Sequence, residues 1–100
     1  MQEISIKDFL KINKQNLQVI DVREQYEYEN GNIESINIPM DKILQSTNKI
    51  KRDKQVVIYC QTGRRAAAVV YMLKEKFNID NVFNLCGGYS AYLELTSKQS

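Results

Sequence analysis

Short apolar runs alternate along the chain with stretches whose apolar residues recur at helical spacing. Leu17-Gln18-Val19-Ile20-Asp21-Val22 is rich in β-branched residues and predicts a buried strand. Ile36-Asn37-Ile38 predicts a second, very short strand ended by Pro39, and Val82-Phe83-Asn84-Leu85 another. Val56-Val57-Ile58-Tyr59 is apolar at every position, as a central parallel strand covered on both faces must be. Ile4 is placed to begin a fifth strand near the N-terminus.

Helical stretches fill the intervals. Ser5 followed by Asp8 has capping-box spacing ahead of a helix carrying Phe9 and Leu10. Residues 23–29 predict one or two turns, closed by Asn30-Gly31, and residues 41–50 a helix with Ile43, Leu44 and Ile50 near one face. The cleanest spacing lies in 65–77, where Ala66, Val69, Val70, Leu73 and Phe77 share a stripe and Asn78 suits a left-handed helix end. Gly87-Gly88 opens a last helix to about Leu95. Strands alternating with helices predict an α/β domain: a small parallel sheet with helices on both faces. Its core spans about 4–95, with a short flexible tail over 96–100. In such a sheet ligands bind beyond the carboxyl ends of the strands, and Cys60 directly follows one of them.

At 100 residues the chain is the size of one domain, and no repeat or Gly/Pro/Ser linker divides it. Its longest apolar run, Ala66 to Leu73, is far short of the roughly 20 residues a membrane helix needs. The N-terminus lacks the apolar stretch of a secretory signal. With 14 basic and 12 acidic residues, charge is too balanced to argue for nucleic acid. There is no histidine, which excludes a His-dependent triad, a His proton shuttle and a His-containing zinc site. The two cysteines, Cys60 and Cys86, are too few for a disulfide scaffold and lack C-x-x-C spacing. A cytoplasmic, monomeric protein with reduced thiols, no metal and no cofactor is the expectation.

The informative segment is Tyr59-Cys60-Gln61-Thr62-Gly63-Arg64-Arg65-Ala66, between the central strand and the best helix. Gly63 permits a sharp turn. The amides of Gln61, Thr62, Gly63, Arg64 and Arg65 are expected to form an inward-facing nest, joined by the unpaired N–H groups of the helix start. Arg64 and Arg65 add two permanent positive charges, and together these groups favour the thiolate form of Cys60. Taken singly, such a cysteine is usually an inert buried thiol and a double arginine a solvated pair. Yet cations at a helix N-terminus sit at the wrong dipole end unless the site holds an anion.

The chain resembles the single-domain rhodaneses, or rhodanese-like sulfurtransferases, from Ile4 to about Leu93. The landmarks are Asp21-Val22-Arg23-Glu24, Glu27-Tyr28, Gly31-Asn32-Ile33, Ile36-Asn37-Ile38-Pro39, the Cys60 to Ala66 segment and Leu85-Cys86-Gly87-Gly88-Tyr89. The resemblance implies a five-stranded parallel sheet flanked by helices. The chain departs from the family pattern at Asn32, where histidine is common, at Tyr92, where tryptophan is frequent, and in a Gly31–Pro39 segment one residue shorter than common versions. Related phosphatases and arsenate reductases place five residues between cysteine and arginine; the four between Cys60 and Arg65 resemble the smaller sulfurtransferase loop, which encloses a single sulfur.

That resemblance implies transfer of a sulfane sulfur through a Cys60 persulfide. The donor would be thiosulfate or a low-molecular-weight persulfide, and the acceptor a thiol, cyanide or a sulfur-relay protein. Cys60 would be the catalytic residue, with Gln61, Thr62, Gly63, Arg64 and Arg65 binding substrate. Arg64 would lie at the rim, and Arg65 would orient the loop, pair with an acid or help hold an anion. Asp21 and Arg23 are expected to pair as structural support. Cys86 is expected to be a small apolar residue, and Tyr89 and Tyr92 packing groups. Two other readings stand beside this one: a catalytically silent rhodanese-like binding or regulatory module, and a dithiol redox protein using Cys60 and Cys86.

Overall fold

The computed structural model describes residues 2–97. Five strands, all parallel, form one sheet: β1 (Glu3–Ile4), β2 (Leu17–Asp21), β3 (Ile36–Asn37), β4 (Gln55–Tyr59) and β5 (Val82–Leu85), in the order β1-β5-β4-β2-β3. The helices are α1 (Ile6–Lys11), α2 (Gln25–Glu29), α3 (Met40–Ile43), α4 (Arg64–Phe77) and α5 (Gly88–Ser97). The fold is the five-stranded parallel α/β arrangement expected from the alternating pattern.

β4 is central and its alternation divides the core. Val56, Ile58 and Cys60 face the layer that contains Ile43 of α3 and Ala66, Val69, Val70 and Leu73 of α4. Val57 and Tyr59 face the opposite layer, with Phe9 of α1 and with Tyr89, Tyr92 and Leu95 of α5. Period-two alternation thus sends the Cys60 side chain toward α4 and the Tyr59 ring toward α5.

Several element boundaries differ from the sequence expectation. The helix expected over 41–50 is α3 followed by a separate 3₁₀ turn at Thr47–Lys49. Gln45 and Ser46 already close tight bonds to Lys42 and Ile43, and Ser46-Thr47-Asn48 are residues whose side chains compete with helical backbone bonding. α2 begins at Gln25 rather than Arg23, because the Glu27 carboxylate accepts from the Glu24 N–H at 3.0 Å and caps the start. Phe77 ends the α4 stripe 41% exposed, while Ala66, Val69, Val70 and Leu73 are buried. Asn78 does adopt the left-handed conformation, φ 55°. At the C-terminus α5 continues to Ser97, past the Leu95 expected, and positions 98–100 of the expected tail lie outside the described residues. No helix among the described residues is long and apolar enough to cross a membrane.

Candidate active site

Two pieces of local chemistry build the site. β4 delivers Cys60 to the carboxyl edge of the sheet, and Gly63, at φ +101°, turns the chain into α4. A side chain at that φ is strained whatever the space around it, so glycine is needed for its backbone. The turn brings the Gly63 N–H to 3.1 Å and the Ala66 N–H to 3.3 Å from Cys60 Sγ. Cys60 is 1% exposed. Its sulfur therefore rests on main-chain donors at the start of a 14-residue helix, where the dipole favours negative charge.

Of the amides expected to face the sulfur, Gly63 does. Ala66 joins it from the first turn of α4, one of the unpaired helix-start N–H groups expected to complete the nest. Thr62 is exposed, and its hydroxyl has no hydrogen bond to a described residue. The two arginines part company. Arg65 donates from Nη1 and Nη2 to both Glu27 oxygens, at 2.8 and 3.0 Å, tying α4 to α2. The Arg65 hydrogen bond holds the Glu27 carboxyl well below the usual range, at about 2, against the opposing effect of partial burial. The guanidinium is raised in turn, chiefly by the same bond. Arg64 is exposed and has no carboxylate partner among the described residues. It is the free cation of the pair.

Asp21 and Arg23 lie behind the loop, 0% and 2% exposed. Arg23 Nε donates to both Asp21 oxygens at 3.0 Å, Nη2 to Asp21 Oδ2 and the Gly31 carbonyl at 2.7 Å, and Nη1 to Gln61 Oε1 at 3.1 Å. The guanidinium carbon lies 4.5 Å from the Tyr89 ring centroid and 5.5 Å from that of Tyr59. Burial pulls the Arg23 guanidinium down, but the hydrogen bonds and charge of Asp21 outweigh it. Burial also pushes the Tyr59 phenol up to about 12, so it stays protonated beside Ser35 Oγ at 3.0 Å, and it accepts from the Ile33 N–H at 3.1 Å.

Cys86 follows β5 on the same sheet edge as Cys60. Its thiol donates to Glu3 Oε2 at 3.0 Å, and this hydrogen bond, with partial burial and the carboxylate charge, pushes the thiol up. Tyr92 stacks on Tyr89, centroids 6.3 Å apart, and meets the Phe9 ring edge-on at 6.5 Å, so both tyrosines pack. Asn32, where the family often has histidine, donates from Nδ2 to the Tyr28 carbonyl at 2.9 Å. Beside Gly63 lies Asn84, buried and with Oδ1 lacking a hydrogen-bond partner. An asparagine inside the apolar run Val82–Leu85 was the one available signal for it.

A model of the rhodanese-like domain matches residues 6–95. The chain belongs to the rhodanese-like domain family. The rhodanese-like fold is shared with a rhodanese-related protein of Thermoplasma volcanium, at TM-score 0.83 and 31% identity over 95% of this chain and 93% of that one. Among curated proteins, this rhodanese-like chain is 38% identical to the uncharacterized protein YqhL of Bacillus subtilis over 75% of its length, and 28% identical to the adenylyltransferase and sulfurtransferase UBA4 of Saccharomyces cerevisiae over 93%. It spans 60% of YqhL and 25% of UBA4. It is also 28% identical to the thiosulfate sulfurtransferase GlpE of Coxiella burnetii, over 81% of this chain and 76% of GlpE.

Proposed function

We propose that this rhodanese-like domain is a sulfurtransferase that carries sulfane sulfur as a Cys60 persulfide. The observation that carries the reading is the pair of main-chain N–H groups on Cys60 Sγ, 3.1 and 3.3 Å away, at the N-terminus of α4. Such donors stabilise a thiolate without moving a proton. A chain without histidine needs that property, because no imidazole is available as a general base.

In the first step the Cys60 thiolate attacks the outer sulfur of thiosulfate. A sulfur–sulfur bond forms to Cys60, the bond within thiosulfate breaks, and sulfite leaves with the electron pair. In the second step cyanide, or a thiolate acceptor, attacks the terminal sulfur of the persulfide. Thiocyanate, or the acceptor's persulfide, departs and the Cys60 thiolate returns. The unpaired cation of Arg64 draws the anionic donor to the rim, while Arg65 is occupied by Glu27. The hydrogen bond from Cys86 to Glu3 supports a packing role for the second thiol rather than a redox partnership.

Intact-mass and peptide mapping after incubation with thiosulfate test the reading. The expected result is one added sulfur atom, located on Cys60, removed by cyanide, and absent from Cys60→Ser. A correctly folded protein that gains no sulfur from thiosulfate or from a low-molecular-weight persulfide would overturn it.

A further inference from the structure

The peptide groups leading out of Cys60 are held from the far side. The Tyr89 N–H donates to the Cys60 carbonyl at 2.8 Å, and the Ser90 N–H to the Gln61 carbonyl at 3.0 Å. Both donors belong to the first turn of α5, where N–H groups have no intrahelical acceptor. A peptide group is planar and trans, so its N–H points opposite to its C=O. Drawing these carbonyls onto α5 turns the N–H groups of Gln61 and Thr62 away from that helix. It also ties down two oxygens that would otherwise be free to turn against an anionic sulfur.

The Gln61 side chain repeats the link. Its Oε1 accepts from Arg23 Nη1 at 3.1 Å and its Nε2 donates to Ser90 Oγ at 2.9 Å. Arginine offers only donors, so the carboxamide has one orientation that satisfies both neighbours. A continuous chain of bonds thus runs from the buried Asp21–Arg23 pair, across the Cys60 loop, to α5. Gly88 makes the approach possible. At φ +62° it has no side chain, and a Cβ there would overlap the Cys60 carbonyl oxygen and lie 2.8 Å from the carbonyl carbon and oxygen of Gln61.

We propose that the first turn of α5, with Gln61 as its side-chain partner, is a brace that keeps the Cys60 loop in its anion-holding form. Gln61, Gly88 and Ser90 are positioning residues in it. The consequence for sulfur transfer rests on the function proposed above; the brace itself rests on the bonds just given. Ser90 is exposed, so its hydroxyl can be removed without opening the core.

The test is the pH profile of Cys60 alkylation by iodoacetamide, measured in a Cys86→Ser background so that one thiol reports. Ser90→Ala and Gln61→Ala are expected to move the midpoint upward. Both should also slow persulfide loading, Ser90→Ala about three- to tenfold for its one lost hydrogen bond and Gln61→Ala at least as much for its two, with little change in KM for thiosulfate. Ser90→Thr, which keeps the hydroxyl, should restore the wild-type profile, and melting of Ser90→Ala should match wild type. Gly88→Ala should show the largest shift. Wild-type alkylation profiles in both Ser90→Ala and Gln61→Ala would overturn the brace. Because alkylation needs no sulfur donor, a wild type that never loads sulfur would sink the proposed function and leave this result readable.

Discussion

Arg65 grips the Glu27 carboxylate through two hydrogen bonds, of 2.8 and 3.0 Å, and so fastens the helix that starts at the candidate nucleophile to α2. The pair is partly open to solvent, 35% exposed at Arg65 and 19% at Glu27. Glu27 is held at about 2, below its unfolded value, so the bond stabilises the fold at neutral pH. That contribution is lost as pH falls from roughly 4.5 toward 2. With solvent screening it should amount to about 1 kcal/mol. Urea midpoints measured across this range should show Glu27→Gln less stable than wild type at pH 7 and nearly equal at pH 2.

Arg64 and Arg65, adjacent in sequence, should fail differently. Removing the unpaired cation in Arg64→Ala should raise KM for thiosulfate several-fold, steeply so at low salt, and leave thermal stability unchanged. Arg65→Ala should instead lower the melting temperature, because Glu27 is left without its partner. Steady-state kinetics at two ionic strengths and a melting curve separate the two outcomes.

The Asp21–Arg23 pair is buried, and stripping one partner leaves an uncompensated charge. Arg23→Met should cost about 3–5 kcal/mol in urea denaturation. Arg23→Lys should recover only part of this, since a lysine has no planar fork to hold Asp21, Gly31 and Gln61 together beside the Tyr59 and Tyr89 rings. A double-mutant cycle with Asp21→Asn should show strong coupling.

Cys86 should be slow to react. Its hydrogen bond to Glu3 favours the protonated thiol, so Glu3→Gln should speed iodoacetamide labelling of Cys86 at pH 8. Cys86→Ser should leave sulfur loading of Cys60 unchanged. Equal labelling rates in wild type and Glu3→Gln would count against the assigned bond.

The sheet was legible because its signals are local. Val56 to Tyr59 are apolar on both faces, and α4 carries its stripe at the spacing of one helix. The same held for Cys60 and Gly63, which lie within one turn of each other. What escaped was set by distance in sequence or by fine winding. The expected nest narrows to the N–H groups of Gly63 and Ala66, because which amides point inward depends on how the turn into α4 winds. Glu27 is 38 positions from Arg65, and nothing in either segment says which strand neighbours which. The bonds from Tyr89 and Ser90 depend likewise on β5 lying beside β4, an order that alternation alone does not specify. The break at Ser46-Thr47-Asn48 was readable from composition, but Ile43, Leu44 and Ile50 suggested continuity across it.

β1 joins the sheet by pairing Glu3 with Asn84 and Ile4 with Leu85, almost the whole described chain away. Closing so long a loop carries a large entropic penalty, and non-local pairings of this kind slow folding. On the ribosome the first strand made must therefore wait for the last one to emerge. Until β5 arrives, β1 has no strand to pair with, and the edge of β4 that β5 will cover is a row of unmet backbone groups open to pairing with another nascent chain.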